Sequence, residues 1–405
     1  MVRIAVIGLG NRARKYLQCL SLESGKSRVV AAVEPDGLRR ARAVAEYGSS
    51  IGEVFASAEE LFASDVAANA VIVASPDGTH YPFAMAALER GWNVLLEKPV
   101  AGNLHDCLAI EKEAAARGLT VSVCYVLRFH PLYRRLKEIA EDDSLGRLLS
   151  VRHRLNVGID RMTHTFVRGL WSRESSSSPI ILSKASHDID ILCWIAGGRP
   201  VSVYSEGSLG LFNSASAPEG SALRCCDCPL ENSCRFSAVD LYLRRDEWNK
   251  GFDILPGETK DDAVLRELRT GRYGRCVFRC DNDVLDRQSV RIAMDNGVEI
   301  SLDLDGRTDQ DSRETAMLFE RGTIRTEGTE IIVRHSGGGA EKYDLSESCS
   351  APLHAGADAA VVSDFLRAVC GEDRLRGADI SSSIISHQLC FAAEESRRLG
   401  SAVLL

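Results

Sequence analysis

Three short patterns in this chain hold residue types able to manage a pyrophosphate, a reacting hydroxyl and a proton. Gly8-Leu9-Gly10-Asn11-Arg12-Ala13 has the Gly-x-Gly-x-x-Gly/Ala form. The first glycine permits a tight turn and the second lets the backbone approach a pyrophosphate. The small third residue allows a helix to pack closely while its N-terminus attracts phosphate charge. Glu97-Lys98-Pro99 closes an apolar run, and the proline sets the backbone direction of the lysine. An ammonium there can bond a hydroxyl and stabilise the alkoxide formed from it. Ser186-His187-Asp188-Ile189-Asp190 offers an imidazole, the side chain suited to proton exchange near neutral pH.

Two further segments fit a dinucleotide. Glu34 ends the second apolar run, where an acid accepts hydrogen bonds from both adenosine ribose hydroxyls and repels a 2′-phosphate. That favours NAD over NADP. Arg39 and Arg40 are read as a turn or more into the next helix, and NADP stays open through Arg12, which has the reach for the 2′ position. Ser75-Pro76-Asp77-Gly78-Thr79-His80 follows another apolar run and is either a plain turn or a cofactor contact made by Ser75, Pro76 and His80.

These patterns need a scaffold. Apolar β-rich runs at Ile4 to Ile7, Val29 to Val33, Ala70 to Ala74, Val94 to Leu96 and Thr120 to Cys124 alternate with helical periodicity over Arg39 to Tyr47, Tyr81 to Arg90 and Leu104 to Arg117. The alternation predicts a doubly wound parallel sheet, a Rossmann domain over residues 1–126. Past it, alternating strands at Leu148 to Asn156, Ser289 to Met294 and Val298 to Leu304, the last two joined by Asp295-Asn296-Gly297, predict a C-terminal α/β domain over residues 127–405. Its sheet is mixed and largely antiparallel. Helices are expected at Ser186 to Ala196, near Asp358 to Val369, and at Ser382 to Arg398.

The 405 residues suffice for two cores, and 45% hydrophobic with 26% charged content describes an ordinary globular chain. A net charge of −8 argues against nucleic acid and anionic membrane as partners. With no signal-peptide pattern at the N-terminus and thirteen cysteines spread along the chain, a reducing cytoplasm is the expected compartment.

The order of the glycine turn, Ser75-Pro76 with His80, Glu97-Lys98-Pro99, Tyr125 with Arg128-Phe129-His130-Pro131, Ser186-His187-Asp188-Ile189-Asp190 and the late Glu394-Glu395-Ser396 resembles the glucose-fructose oxidoreductase, inositol dehydrogenase and MocA family. The resemblance implies an NAD(P) domain, and an open second sheet that makes a homodimer or homotetramer. It also implies hydride exchange with a sugar, sugar derivative or cyclitol. By it Lys98 is the active-site lysine, His187 the acid/base, and Asp190 a second polar residue on the histidine helix or an orienting group. Four residues before the histidine the inositol dehydrogenase pattern has an aspartate, whereas this chain has Ser183 followed by Lys184. Lys184 is then either a solvated lysine or the group that holds an anionic or hydroxylated substrate. Arg128, Arg168 and Trp171 are candidate substrate contacts, with a core position equally open to the tryptophan.

Cys225, Cys228 and Cys234 have the spacing of a partial zinc site, with Cys276 or Cys280 as a fourth ligand; the alternative is buried reduced thiols. No catalytic metal site is expected. The leading reading is an NAD(P)-dependent oxidoreductase acting on a CH–OH group. Behind it stand an NAD-dependent elimination or epimerisation without net redox change, and a dinucleotide-binding regulatory protein without chemistry. Glu34 predicts tighter binding of NAD than of NADP, with Glu34→Ala narrowing the gap. Calorimetric titration of both cofactors decides it, and tighter NADP binding by the parent protein would refute the assignment.

Overall fold

The computed structural model describes residues 1–48 and 50–405. Six parallel strands, β1 (Val2–Ile7), β2 (Ser27–Val33), β3 (Ile51–Phe55), β4 (Ala70–Val73), β5 (Asn93–Leu96) and β6 (Val121–Val123), form the first sheet in the order 3-2-1-4-5-6. Helices cover both faces, so the central β4 is buried along its whole length. The helix Leu104–Arg117 has the bounds its periodicity predicts because both ends are signalled. Asn103 Oδ1 accepts from the Asp106 amide at 2.9 Å, and Gly118 closes the helix at φ 64°. β3 is absent from the apolar runs, since Gly52 and Glu53 interrupt it; as an edge strand it is exposed there.

The second sheet contains β7 (Leu148–Gly158), β8 (Pro200–Ser208), β9 (Arg287–Met294), β10 (Glu299–Thr308), β11 (Ser312–Phe319), β12 (Gly322–Glu327), β13 (Glu330–His335), β14 (Ala340–Asp344) and β16 (Val403–Leu404). Their order is 14-13-12-11-7-10-9-8-16. Only β7 and β10 pair in parallel, and β9 and β10 form the hairpin expected at Asp295-Asn296-Gly297. Val151, His153 and Leu155 face helices, while Arg152 and Arg154 alternate onto an open polar face. Residues 209–286, between β8 and β9, build a small core of their own around Leu241, Tyr242, Val264 and Leu268.

Strands β1 to β6 lie before residue 126 and β7 to β14 after it, but a later segment returns to the first sheet. The helix Ala357–Val369 buries Val361, Val362 and Phe365 in one core with Ala13 and Leu17 of the helix Asn11–Leu22. β15 (Ala378–Asp379) then pairs antiparallel with β6 and becomes the seventh strand of the first sheet. The helix Ile380–Leu399 follows and bonds to both bodies. His387 Nε2 accepts from the Val100 amide at 2.8 Å and Ser386 Oγ lies 2.8 Å from the Tyr125 hydroxyl. Further along, Glu394 accepts from Gln288 Nε2 at 2.8 Å, and Ser396 Oγ accepts from the Ser205 amide at 2.9 Å.

Because Nε2 of His387 accepts, Nδ1 carries the proton and donates to the Ser383 carbonyl at 2.8 Å. Burial holds this imidazole neutral, pushing its pKa from 6.5 down to about 4. Below 6.5 the unfolded chain takes up a proton that the folded chain refuses, so the stability contribution is complete above 6.5 and lost as pH falls toward 4. That loss amounts to roughly 3 kcal/mol. Urea unfolding at pH 7.5 and 4.5 should show a smaller acid loss for His387→Gln than for the parent; equal losses would remove His387 as the cause.

Candidate active site

The glycine turn behaves as two different glycines. Gly8 adopts φ 88°, and a Cβ on it would lie 2.7 Å from the Ala74 carbonyl oxygen, so the turn and the approach of β1 to β4 both require it. A Cβ on Gly10 would meet no protein atom within 4 Å. Gly10 caps the helix Asn11–Leu22 and, with Asn11, borders the main cavity, so the space it leaves open is a cradle for something other than protein. Ala13 is fully buried, as close helix packing demands, and the Leu9 side chain points into the core.

Glu34 borders the same cavity with its carboxylate held by two amides, from Leu9 at 3.0 Å and Asp36 at 3.1 Å. Arg12 is not free to reach a 2′-phosphate. Its guanidinium turns back onto Glu97, the Tyr16 hydroxyl at 2.6 Å and Asp358 at 2.8 Å. Arg39 and Arg40 are nearer than the sequence suggests, because the helix Gly37–Tyr47 starts early enough to place both in its first turn. Arg40 is tied to the Glu34 carbonyl at 2.6 Å, which leaves Arg39 as the exposed cation at this end of the cavity.

Glu97 follows β5. Burial alone would raise its pKa, but the Arg12 guanidinium and the Tyr16 hydroxyl outweigh burial and hold it below the usual carboxylate range. The ring nitrogens of His80 face the carbonyls of Pro99 at 2.6 Å and Ser75 at 2.9 Å. His80 is therefore a buried clamp between the loop of Ser75-Pro76 and the loop of Lys98, with both nitrogens engaged. Lys98 crosses to the second domain, where Nζ donates to the Ser183 carbonyl. The residue standing in place of the family aspartate thus still meets the lysine, through its main chain. Burial lowers the Lys98 pKa, and Glu97 and Asp77 oppose that fall.

Ser183 ends a short helix, Ile180–Ser183, in which the Pro179 carbonyl accepts from the Leu182 and Ser183 amides and turns the chain. His187 stands in the first turn of the helix Ser186–Ala196, with its ring edge on Tyr125 at 5.3 Å. Its Nδ1 is buried without a partner. Burial first, then Lys98, holds its pKa well below the ordinary value, so the imidazole is neutral at neutral pH. Lys98, Lys184, His187 and Trp171 border one cavity with Gly10 and Glu34. The indole Nε1 of Trp171 donates to Asp77 at 3.1 Å, joining the two bodies across it.

Three of the candidate substrate contacts lie elsewhere. Arg128 and Asp190 form a buried two-pronged ion pair at 2.8 and 2.7 Å, away from the cavity lining. Arg168 is fully buried and donates to the carbonyls of Arg275 and Phe236 and to Cys225 Sγ. The sequence reading passes over Asp188, which accepts from Arg313 at 2.5 and 3.2 Å and lies 3.1 Å from His153 Nε2. Burial would raise its pKa; Arg313 outweighs this and drives it far below the carboxylate range. Its place beside His187 is the one signal that marks it. The Cys225 thiol accepts from the Ala238 amide, and among the described residues no three His, Cys, Asp or Glu side chains converge as a metal-ligand set.

A Rossmann body carrying a lysine at its cavity edge, closed by an open-sheet α/β body carrying a histidine, defines a two-domain dinucleotide-binding oxidoreductase architecture. The chain belongs to the Gfo/Idh/MocA family. The family profile described as an oxidoreductase family with an NAD-binding Rossmann fold matches residues 2–125, and the family's C-terminal domain profile matches residues 133–218. The chain is similar to inositol 2-dehydrogenase of Corynebacterium glutamicum, 29% identical over 203 residues, and to inositol 2-dehydrogenase 1 of Saccharopolyspora erythraea, 33% identical over 205 residues. Each match takes in 50% of this chain and 56% of the relative, so the chain spans about half the length of these relatives. Among solved structures, an oxidoreductase from Agrobacterium radiobacter in complex with NAD+, L-tartaric acid and magnesium superposes with a TM-score of 0.71 at 16% identity, covering 100% of this chain and 98% of that one.

The two glycines separate fold from cofactor. Gly10→Ala should keep stability within about 1 kcal/mol of the parent and weaken NAD at least tenfold by calorimetry. Gly8→Ala should lower stability by about 1–3 kcal/mol through its positive φ and the Ala74 contact. Unchanged NAD affinity in Gly10→Ala would show that the cradle holds no pyrophosphate.

Proposed function

We propose that this protein is an NAD-dependent dehydrogenase that oxidises a hydroxyl-bearing carbon of a sugar, sugar derivative or cyclitol, or reduces the corresponding ketone. The observation that carries the reading is the meeting of Lys98 and the neutral His187, from opposite bodies, in the cavity that also holds the glycine cradle. The backbone of Gly8 to Asn11 would hold the pyrophosphate, Glu34 the adenosine ribose, and Ser75-Pro76 the wall beside it. The bound dinucleotide supplies the hydride acceptor.

The protein's own residues handle the proton. Lys98 donates to the substrate oxygen and stabilises the alkoxide as it forms, its ammonium gaining strength from the dry site that lowers its pKa. His187 takes the hydroxyl proton. A base of depressed pKa suffices, because a carbinol losing hydride becomes a far stronger acid than the alcohol it started as. Trp171, fixed to Asp77, presents an indole face on which a sugar ring stacks. The open face of the second sheet, with Arg152, Arg154, Asp303 and Glu314 exposed, is where a homodimer or homotetramer would form. No helix among the described residues is long and apolar enough to cross a membrane, and a cytoplasmic location is part of this reading.

His187→Ala should lower kcat by about 10²–10⁴ with NAD affinity nearly unchanged, whereas Lys98→Ala should lower kcat and raise KM together. The pKa directions shape the parent's profile. The acid limb of kcat/KM should lie below 6.5, where His187 finally protonates, and the alkaline limb below 10.5, where Lys98 loses its proton. Steady-state kinetics from pH 5 to 10 on whichever sugar, uronate or inositol yields NADH checks both. Near-parental turnover of His187→Ala would show the acid/base to be misassigned; Tyr125, whose buried hydroxyl is spent on Ser386, offers no replacement.

A further inference from the structure

Of the cavity-lining cations Lys98, Arg161, Arg313 and Lys184, one has neither a hydrogen bond nor an ion pair among the described residues. Arg313, at the start of β11, is bound to Asp188, and Arg161, after β7, to Asp311 at 2.7 Å. Lys98 rests on the Ser183 carbonyl, and its neighbour Glu97 is engaged by Arg12. Lys184 is different. It borders the cavity half-buried, and its ammonium makes no hydrogen bond or ion pair among the described residues. The groups that face it come from four segments: Arg313 on β11, Arg161 from the turn after β7, Asp188 on the helix Ser186–Ala196, and Asp311 before β11. Two guanidiniums and two carboxylates cancel, and the ammonium remains.

The residue before it sharpens the point. Where the inositol dehydrogenase pattern carries an aspartate this chain has Ser183, whose hydroxyl is turned onto the Pro179 carbonyl at 3.1 Å. A half-buried ammonium that the protein leaves unmatched is at a disadvantage unless a ligand brings the countercharge. One ammonium balances one negative charge. A phosphate dianion calls for more, and the nearby guanidiniums that would fork onto it are already committed.

We propose that the substrate is a sugar acid whose carboxylate is held by Lys184, so that the protein selects hexuronates over neutral hexoses. The inference rests on the dehydrogenase reading for its chemistry but is tested by binding alone. Burial, with Arg313 and Arg161, pushes the Lys184 pKa down to about 7, so the charge that holds the carboxylate is present at pH 6 and mostly gone at pH 9.

The experiment is calorimetric titration of NAD-loaded protein with D-glucuronate, D-galacturonate, D-glucose, D-galactose and D-glucose 6-phosphate at pH 6 and 9. At least one hexuronate should bind tenfold or more tightly than its neutral parent at pH 6, with the advantage shrinking several-fold at pH 9. Lys184→Gln should abolish the advantage at both pH values. Lys184→Arg should keep it at pH 9, since a guanidinium does not deprotonate there. Equal or tighter binding of the neutral sugar or the phosphate overturns the proposal, as does an advantage that survives Lys184→Gln or no measurable hexuronate binding. Selective hexuronate binding without NADH formation would leave Lys184 assigned and refute the dehydrogenase instead.

Discussion

The amide of Val100 donating to the buried His387 is the contact on which the geometry of the site depends. Val100 lies two residues beyond Lys98, and His387 belongs to the helix Ile380–Leu399, which bonds to both bodies. The same loop is held from its other side by His80, which faces the Pro99 carbonyl. A lysine has four rotatable bonds and ordinarily wanders. Here its backbone is gripped from two directions and its ammonium rests on Ser183, so it is aimed before any ligand arrives. Such preorganisation spares the reaction the work of orienting dipoles at the moment charge develops.

A second constraint follows from burying charge near that loop. Arg12, Glu97, Tyr16, Asp358 and His354 form a continuous network, with His354 Nδ1 2.7 Å from Asp358. Removing one member of a buried pair typically costs about 3–5 kcal/mol, because the partner is left charged and dry. The network therefore engages the Arg12 guanidinium with Glu97, Tyr16 and Asp358, while Glu34 and Arg39 border the cavity outside it. It also links the helix Asn11–Leu22 to the helix Ala357–Val369, so that the glycine turn is braced by residues far away in sequence.

The sequence was most legible where one pattern answers one question. Apolar runs buried on both faces marked β1, β2, β4, β5 and β6, and paired cap signals bounded the helix Leu104–Arg117. β3 escaped because an edge strand tolerates Gly52 and Glu53 on its exposed side. Lys98 and His187 were found from their order among motifs, and they do border one cavity. Arg128, Asp190 and Arg168 were polar residues in the right neighbourhood that satisfy one another or the backbone instead. Linear spacing shows that a side chain is polar; it does not show which partner it finds. Asp188, His153 and Arg313 illustrate the converse, since they come from three elements and only the folded sheet brings them together. In residues 209–286 the cysteine spacing was legible, but no helix was expected there.

The return of residues 357–379 to the first sheet bears on how the protein is made. On a ribosome the nucleotide-binding strands emerge first, yet the outer edge of β6 and the apolar side of the helix Asn11–Leu22 wait for partners translated more than two hundred residues later. Until then a strand edge and a hydrophobic patch stand open to other nascent chains. The first body is thus not a module that matures alone. Its completion waits for residues 357–379, and any premature stop before β15 would release a product with an open edge rather than a smaller working protein.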